Sequence, residues 1–420
     1  MSQRDSGLLL RVTVRLFLLF PLLTDSLPTM FSARFLYLFG RAAATFASLV
    51  LALVYSRDLG LVNRSSLAMI MTTNAILWIV LTSGATLTIR KIGWANTKDS
   101  TLNSLATVII SQYVIIILLY ISVINLYSQI KNPIASNLVL LSLIYVTTSG
   151  IHLIAMEILL STEKIKSVGL LEIATVSSQI SIYFVTSLIN ELSVATRLLL
   201  AFIFSYLLVS VIAIYLIAKT KRIRIKLGAP QEFIHLSRYN HFFGASLGFM
   251  DRIDRLLVGF LLATPVLGKY AVATTLITLL RFLPDGISKL IIAKKVTLNR
   301  INLMRKELIF TYAFVLTSAV IIISRESIYF FLGQEWILGF SIYVAIAIQE
   351  LMRGSYQIMA NKNVLNGHSK SVHTAATLLP LICISAGLLG TKLFGLIGIP
   401  SALCATYIFG IALLRRRVVA

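Results

Sequence analysis

Residues 195–233 read ATRLLLAFIFSYLLVSVIAIYLIAKTKRIRIKLGAPQEF, an apolar run that breaks abruptly into a basic one. The first 24 residues carry a single charge, Arg197, at their start. As a helix they reach about 36 Å, enough to cross a hydrocarbon core of about 30 Å. The segment that follows holds Lys219, Lys221, Arg222, Arg224 and Lys226, the pattern of a span re-entering the cytoplasm.

Working outward, the same alternation recurs along the chain. Twelve candidate spans run approximately 33–55, 67–90, 102–126, 136–160, 168–189, 195–218, 238–262, 268–293, 307–324, 336–360, 372–391 and 394–414. Of 420 residues, 57% are hydrophobic and only 13% charged, with a mean hydropathy of +0.88. A soluble domain carries about twice that charged fraction, so a soluble enzyme is excluded. Strand-like alternation is too weak for an outer-membrane barrel. The expected fold class is an all-α integral membrane protein.

The net charge of +22 raises the question of nucleic acid, which requires basic residues gathered on one folded face. Here they lie in short clusters between apolar segments, the pattern of membrane topology. With the N-terminus placed in the cytoplasm, inside segments hold 25 Lys and Arg and outside segments 7. That asymmetry expects a multi-pass protein of a bacterial inner membrane with both termini cytoplasmic. Cys383 and Cys404 fall inside apolar segments and suggest no disulfide framework, and the five histidines form no metal-ligand set. No cofactor and no nucleic-acid partner is expected; lipid is the surrounding partner.

The basic linker, 219–237, divides the chain into an N-lobe over 30–218 and a C-lobe over 238–420, six spans each. Residues 1–29 stand apart, since LLLRVTVRLFLLFPLL is apolar but short and carries Arg11 and Arg15. It reads as a signal-like segment, as a surface helix, or as sequence ahead of a true start at Met30; the last reading is preferred.

Six basic residues fall within spans: Arg41, Arg252, Arg255, Arg281, Lys289 and Arg353. A central Arg or Lys costs about 2.5–3.5 kcal/mol on insertion scales, so such residues face water, a partner charge or a substrate. Lys289 lies near a cytoplasmic end and can snorkel. For Arg252, Arg255 and Arg353, structural pairing and cavity exposure stand equal, whereas Arg41 and Arg281 are expected to face a cavity.

Helical spacing gathers them. Arg34, Tyr37, Arg41, Thr45 and Ser48 share one face of the first span, and Glu172, Thr175, Gln179, Tyr183 and Thr186 one face of the fifth. Gly244, Gly248, Asp251, Arg255 and Gly259 line the seventh. In the eighth, Thr274, Thr278, Arg281, Asp285 and Lys289 form a stripe beside Pro284 and Gly286. Several polar faces together expect a hydrated central cavity in which cations prevail. Guanidinium groups suit phosphate, bonding two oxygens at once. The acids Asp251, Asp254, Asp285, Glu157, Glu172 and Glu350 balance these charges or bind a coupling ion, H⁺ or Na⁺.

At the seventh span the segment DRIDRLLVGFLLATPVLGKYAVATTL, 251–276, resembles the span-seven-to-eight signature of polysaccharide flippases, through Asp254, Arg255, Leu267, Gly268 and Tyr270. FSARFLYLFGRAAATFASLVLALVYSRDLG, 31–60, looks like that family's first span, and FLGQEW, 331–336, like its loop before span ten. The resemblance is to O-antigen flippases of the multidrug/oligosaccharidyl-lipid/polysaccharide (MOP) superfamily, across residues 30–415. It implies two six-helix lobes in a V around a cationic cavity. It also implies alternating-access movement of undecaprenyl-diphosphate-linked oligosaccharides to the periplasmic leaflet. Arg41, Arg255 and Arg281 would then face the diphosphate or acidic sugars, and a polysaccharide polymerase with its chain-length machinery would be partners. The family's outer-loop Gly-Pro is replaced here by Ala263-Thr264-Pro265.

Two other readings stay open: a drug/cation antiporter of the same superfamily, and a membrane glycan polymerase or ligase. The first expects acids to dominate the cavity, the second a large outer loop bearing catalytic Arg or His. No Gly-x-x-x-x-Gly-Lys loop is present, so this chain is not expected to use ATP itself.

Overall fold

The structure, a computed structural model, describes residues 33–92, 99–131, 136–162, 164–189, 191–219, 244–281, 306–365 and 369–416. The expected leader 1–29, the linker beyond Lys219, Asp285 and Lys289 lie outside the described residues.

Among the described residues there is helix and no strand. Within a bilayer every backbone polar group must be satisfied internally, and a helix does this within one segment. Six stretches of described chain are long and apolar enough to cross a membrane. Two of them, Phe39–Trp78 and Val372–Arg415, are 40 and 44 residues and exceed one crossing. The chain is a multi-pass, all-α membrane protein.

The first helix, α1, runs Ala33–Ile92 and is broken at Gly60, whose φ of 71° and ψ of 171° no helix contains. The break reverses the chain. Arg64 Nε donates to Ser56 Oγ at 3.0 Å, although eight residues of unbroken helix would separate them by about 12 Å. Sequence expected a loop here, with the second span starting near 67; a single left-handed glycine does the work instead, so residues 61–66 are helical.

The chain continues as α2 (Asp99–Ile130), α3 (Ser136–Ser161), α4 (Ile165–Ser187) and α5 (Val194–Ala218). Ser193 starts α5 by accepting the Thr196 N–H on its side chain at 3.2 Å. The seventh expected span is discontinuous. Residues 244–250 are helical, Asp251 and Arg252 form a turn, and α6 (Ile253–Leu261) follows. Next come α7 (Thr264–Ile277), a 3₁₀ turn (Thr278–Arg281), α8 (Lys306–Leu332), α9 (Phe340–Leu365), α10 (Ser369–Phe394) and α11 (Gly398–Arg416).

Two buried clusters lie in the first half, one around Tyr37, Leu159 and Val209, the other around Leu51, Tyr120 and Phe202. A third occupies the second half but recruits Leu49, Leu53, Ala68, Met69 and Tyr127 from the first. The halves meet along that seam. At the Gly60 end, Ser65 Oγ donates to the Thr264 carbonyl and Lys131 Nζ to the Leu262 carbonyl at 3.0 Å.

Candidate substrate cavity

A cavity of about 610 Å³ opens beside this seam. Its walls are the two arms of α1, then α3, α4 and α5, with Asp251, Arg252, Arg255, the second half of α7 (Ala271, Thr275) and Thr278 of the 3₁₀ turn closing the remaining side. The first half thus contributes most of the lining.

Four arginines line it: Arg41, Arg64, Arg252 and Arg255. Two carboxylates, Glu172 and Asp251, share the lining. Cations therefore outnumber anions two to one, in a space where low dielectric strengthens every charge interaction.

Arg41 is placed by close packing of α1 on α4. A Cβ on Gly40 would lie 2.4 Å from the Gly169 carbonyl oxygen, so only glycine permits this approach. The contact brings Arg41 Nη1 to 3.4 Å from Glu172 Oε1, and the Tyr37 hydroxyl accepts from the same nitrogen at 3.4 Å. Thr45 and Ser48 from α1, and Thr175 and Gln179 from α4, continue the polar lining.

Arg255 donates from Nε to Thr274 Oγ1 at 3.1 Å. Its neighbour Asp254 is 3% exposed and turned away from the cavity lining. Asp254 Oδ1 accepts the Arg255 N–H at 2.8 Å and Oδ2 accepts the Tyr270 hydroxyl at 3.0 Å. In the first turn of α6 this carboxylate also meets the positive end of the helix dipole.

Arg353 and Glu350, on α9, lie behind the lining and are 4% and 2% exposed. Arg353 pairs through Nε with Asp251 and through Nη1 with Glu350 at 3.7 Å. Asp251 thus joins the cavity to a buried cation behind it. Glu157 is 7% exposed on α3 and off the lining. Arg281 closes the 3₁₀ turn, and Asp285 follows it outside the described residues.

Arg64 escaped the sequence reading, which placed it in an outside loop. It is 3% exposed on the second arm of α1 and its guanidinium carbon sits 4.9 Å from the centre of the Tyr55 ring. A signal existed: Arg64, Ala68, Met71, Ala75 and Trp78 recur at helical steps of four and three, and all five line the cavity. Tyr145, Ser149 and His152 do the same on α3. Asn74 donates to Ser149 Oγ at 2.9 Å, and His152 stacks on Tyr206 at 4.7 Å, completing an aromatic wall with Phe202 and Trp78.

Chemically the cavity holds guanidinium donors for an oxyanion, beside hydroxyls, amides and aromatic faces. The described residues contain no group of three or more His, Cys, Asp or Glu placed to hold a metal.

No family model matches this sequence, and no curated protein matches it. Solved structures do. The lipid II flippase MurJ in an inward closed conformation aligns with a TM-score of 0.63 at 14% identity, over 91% of this chain and 86% of that one. An inward-facing multidrug resistance MATE family transporter of the MOP superfamily aligns at 0.56 and 12%, over 95% and 98%. The MATE transporter VcmN of Vibrio cholerae aligns at 0.56 and 10%, over 92% and 96%. The chain has the fold of these transporters. The match runs nearly end to end in each case and establishes the architecture.

Proposed function

We propose that this protein is a flippase that moves undecaprenyl-diphosphate-linked oligosaccharides, such as O-antigen repeat units, from the cytoplasmic to the periplasmic leaflet. The observation that carries this reading is the cavity's charge: Arg41, Arg64, Arg252 and Arg255 against Glu172 and Asp251. A diphosphate brings negative charge and several acceptor oxygens, and guanidinium groups bind such oxygens in pairs. The polar and aromatic faces of α3, α4 and α5 supply surfaces for sugar rings and hydroxyls. A fold shared with a lipid II flippase supports the same class of cargo.

The protein then acts as a transporter and not an enzyme, in a bacterial inner membrane with both termini cytoplasmic. The two halves rock about their seam so that the cavity faces each leaflet in turn. Undecaprenyl chains stay in lipid while the diphosphate and sugars cross beside the arginines. H⁺ or Na⁺ is the proposed coupling ion. The polymerase and chain-length machinery that use the product would lie downstream.

The shared fold with MATE transporters gives the cation antiporter its standing as a second reading. Four lining arginines disfavour it, because a cationic drug meets like charge on entry. Deleting the gene in its host separates the two. Repeat units trapped on the cytoplasmic side, with loss of surface glycan, support the flippase. Unaltered glycan together with new sensitivity to cationic dyes supports the antiporter.

A further inference from the structure

Arg64 differs from the other cavity arginines in how it is held. Its Nε is engaged by Ser56 Oγ and its face by the Tyr55 ring. Its Nη1 is buried and has no hydrogen-bond partner among the described residues. A desolvated donor left without an acceptor is costly, and a guanidinium clamped on its other side is already oriented to receive one.

Arg64 also sits far from Arg41. Its guanidinium reaches Ser56, and Ser56 is 15 residues along the first arm of α1 from Arg41, about 22 Å by helical rise. Arg255 falls between. Gly268 packs against the Leu61 backbone near Arg64, and Thr274, which holds Arg255, is six residues farther along α7, about 9 Å. One diphosphate cannot touch Arg41 and Arg64 together.

We propose that Arg64 is a second oxyanion station at the Gly60 end of the cavity, separate from the station at Arg41. The proposal rests on the flippase reading and adds a path to it. An anionic group, whether a diphosphate or the carboxylate of an acidic sugar, is first held near Arg41 and Glu172. It is passed by Arg255 and received by the vacant edge of Arg64. A single deep well would hold the cargo; successive shallower sites let it leave, as in ion pathways.

The test is isothermal titration calorimetry on the purified full chain, with inorganic pyrophosphate and, separately, glucuronate as probes. The wild type is expected to take up two oxyanions. Arg64→Gln is expected to weaken one site at least tenfold, roughly the effect of losing a charge-assisted hydrogen bond, and to leave the other unchanged. Arg41→Gln is expected to do the converse. Loss of glucuronate uptake alone in Arg64→Gln assigns the station to an acidic sugar, and loss of pyrophosphate uptake to the diphosphate. One site in the wild type overturns the second station, and this needs no variant to fold. Two sites both indifferent to Arg64→Gln overturn it as well. No uptake of either probe overturns the flippase reading along with it.

Discussion

At the residue scale, the ionisable groups divide into those that face the cavity and those that hold its walls. Arg353 belongs to the second kind, buried between Asp251 and Glu350. Removing one partner of a buried pair leaves uncompensated charge and costs about 3–5 kcal/mol. Arg353→Ala is therefore expected to lower the melting temperature strongly in a detergent-solubilised thermal scan. Arg41→Ala, at a partly open site, is expected to leave melting nearly unchanged while abolishing translocation. The reverse ranking of the two melting temperatures would mean that Arg41 is the structural group. Spacing in the sequence revealed Arg41, Glu172, Asp251 and Arg255 as members of polar helix faces, and these four line the cavity. It did not reveal which acids turn inward. Asp254 and Asp251 are three residues apart on the chain, yet one is tied to Tyr270 and the other borders the cavity, because the helix breaks at 251–252.

At the element scale, two glycines set the frame. Gly60 turns the chain in one residue, and a Cβ there would meet nothing within 4 Å. The cost of replacing it is backbone strain alone, about 1–3 kcal/mol. At φ 71° and ψ 171° the residue lies in a region essentially closed to any side chain with a Cβ, so Gly60→Asn and Gly60→Val are both expected to lower the melting temperature; an unchanged melting temperature in both would contradict the assigned turn. Gly40 acts by contact. Gly40→Leu is expected to push α1 from the Gly169 backbone, part Arg41 from Glu172 and stop translocation, with normal membrane insertion checked by immunoblot. Transport by that variant at the wild-type rate would remove the α1–α4 contact from the site. The apolar periodicity made the helices themselves legible, because length and hydropathy suffice to place a span. The Gly60 turn was not legible as such: Arg57, Asp58, Asn63 and Arg64 gave the region the composition of a loop. That polarity belongs instead to two helix ends at the turn, where Arg57, Asp58 and Asn63 are exposed, Asp58 accepts the Tyr183 hydroxyl at 2.7 Å, and the buried Arg64 bonds Ser56.

At the scale of the whole molecule, the two halves touch at the Gly60 end through Ser65, Lys131, Leu262 and Thr264. If the cavity opens alternately on its two sides, these contacts must part in each cycle. A short thiol cross-link between Ser65→Cys and Thr264→Cys is expected to arrest translocation and to release it on reduction. Full activity of the cross-linked protein would exclude separation there. The most direct measurement follows a fluorescent undecaprenyl-diphosphate-linked oligosaccharide in liposomes containing the purified protein, with an impermeant reagent reporting which leaflet holds the sugar. Movement across the bilayer by the wild type, abolished by Arg41→Glu at equal protein content, is the expected result. Failure of the lipid-linked sugar to move while an organic cation such as ethidium is carried would contradict the central claim.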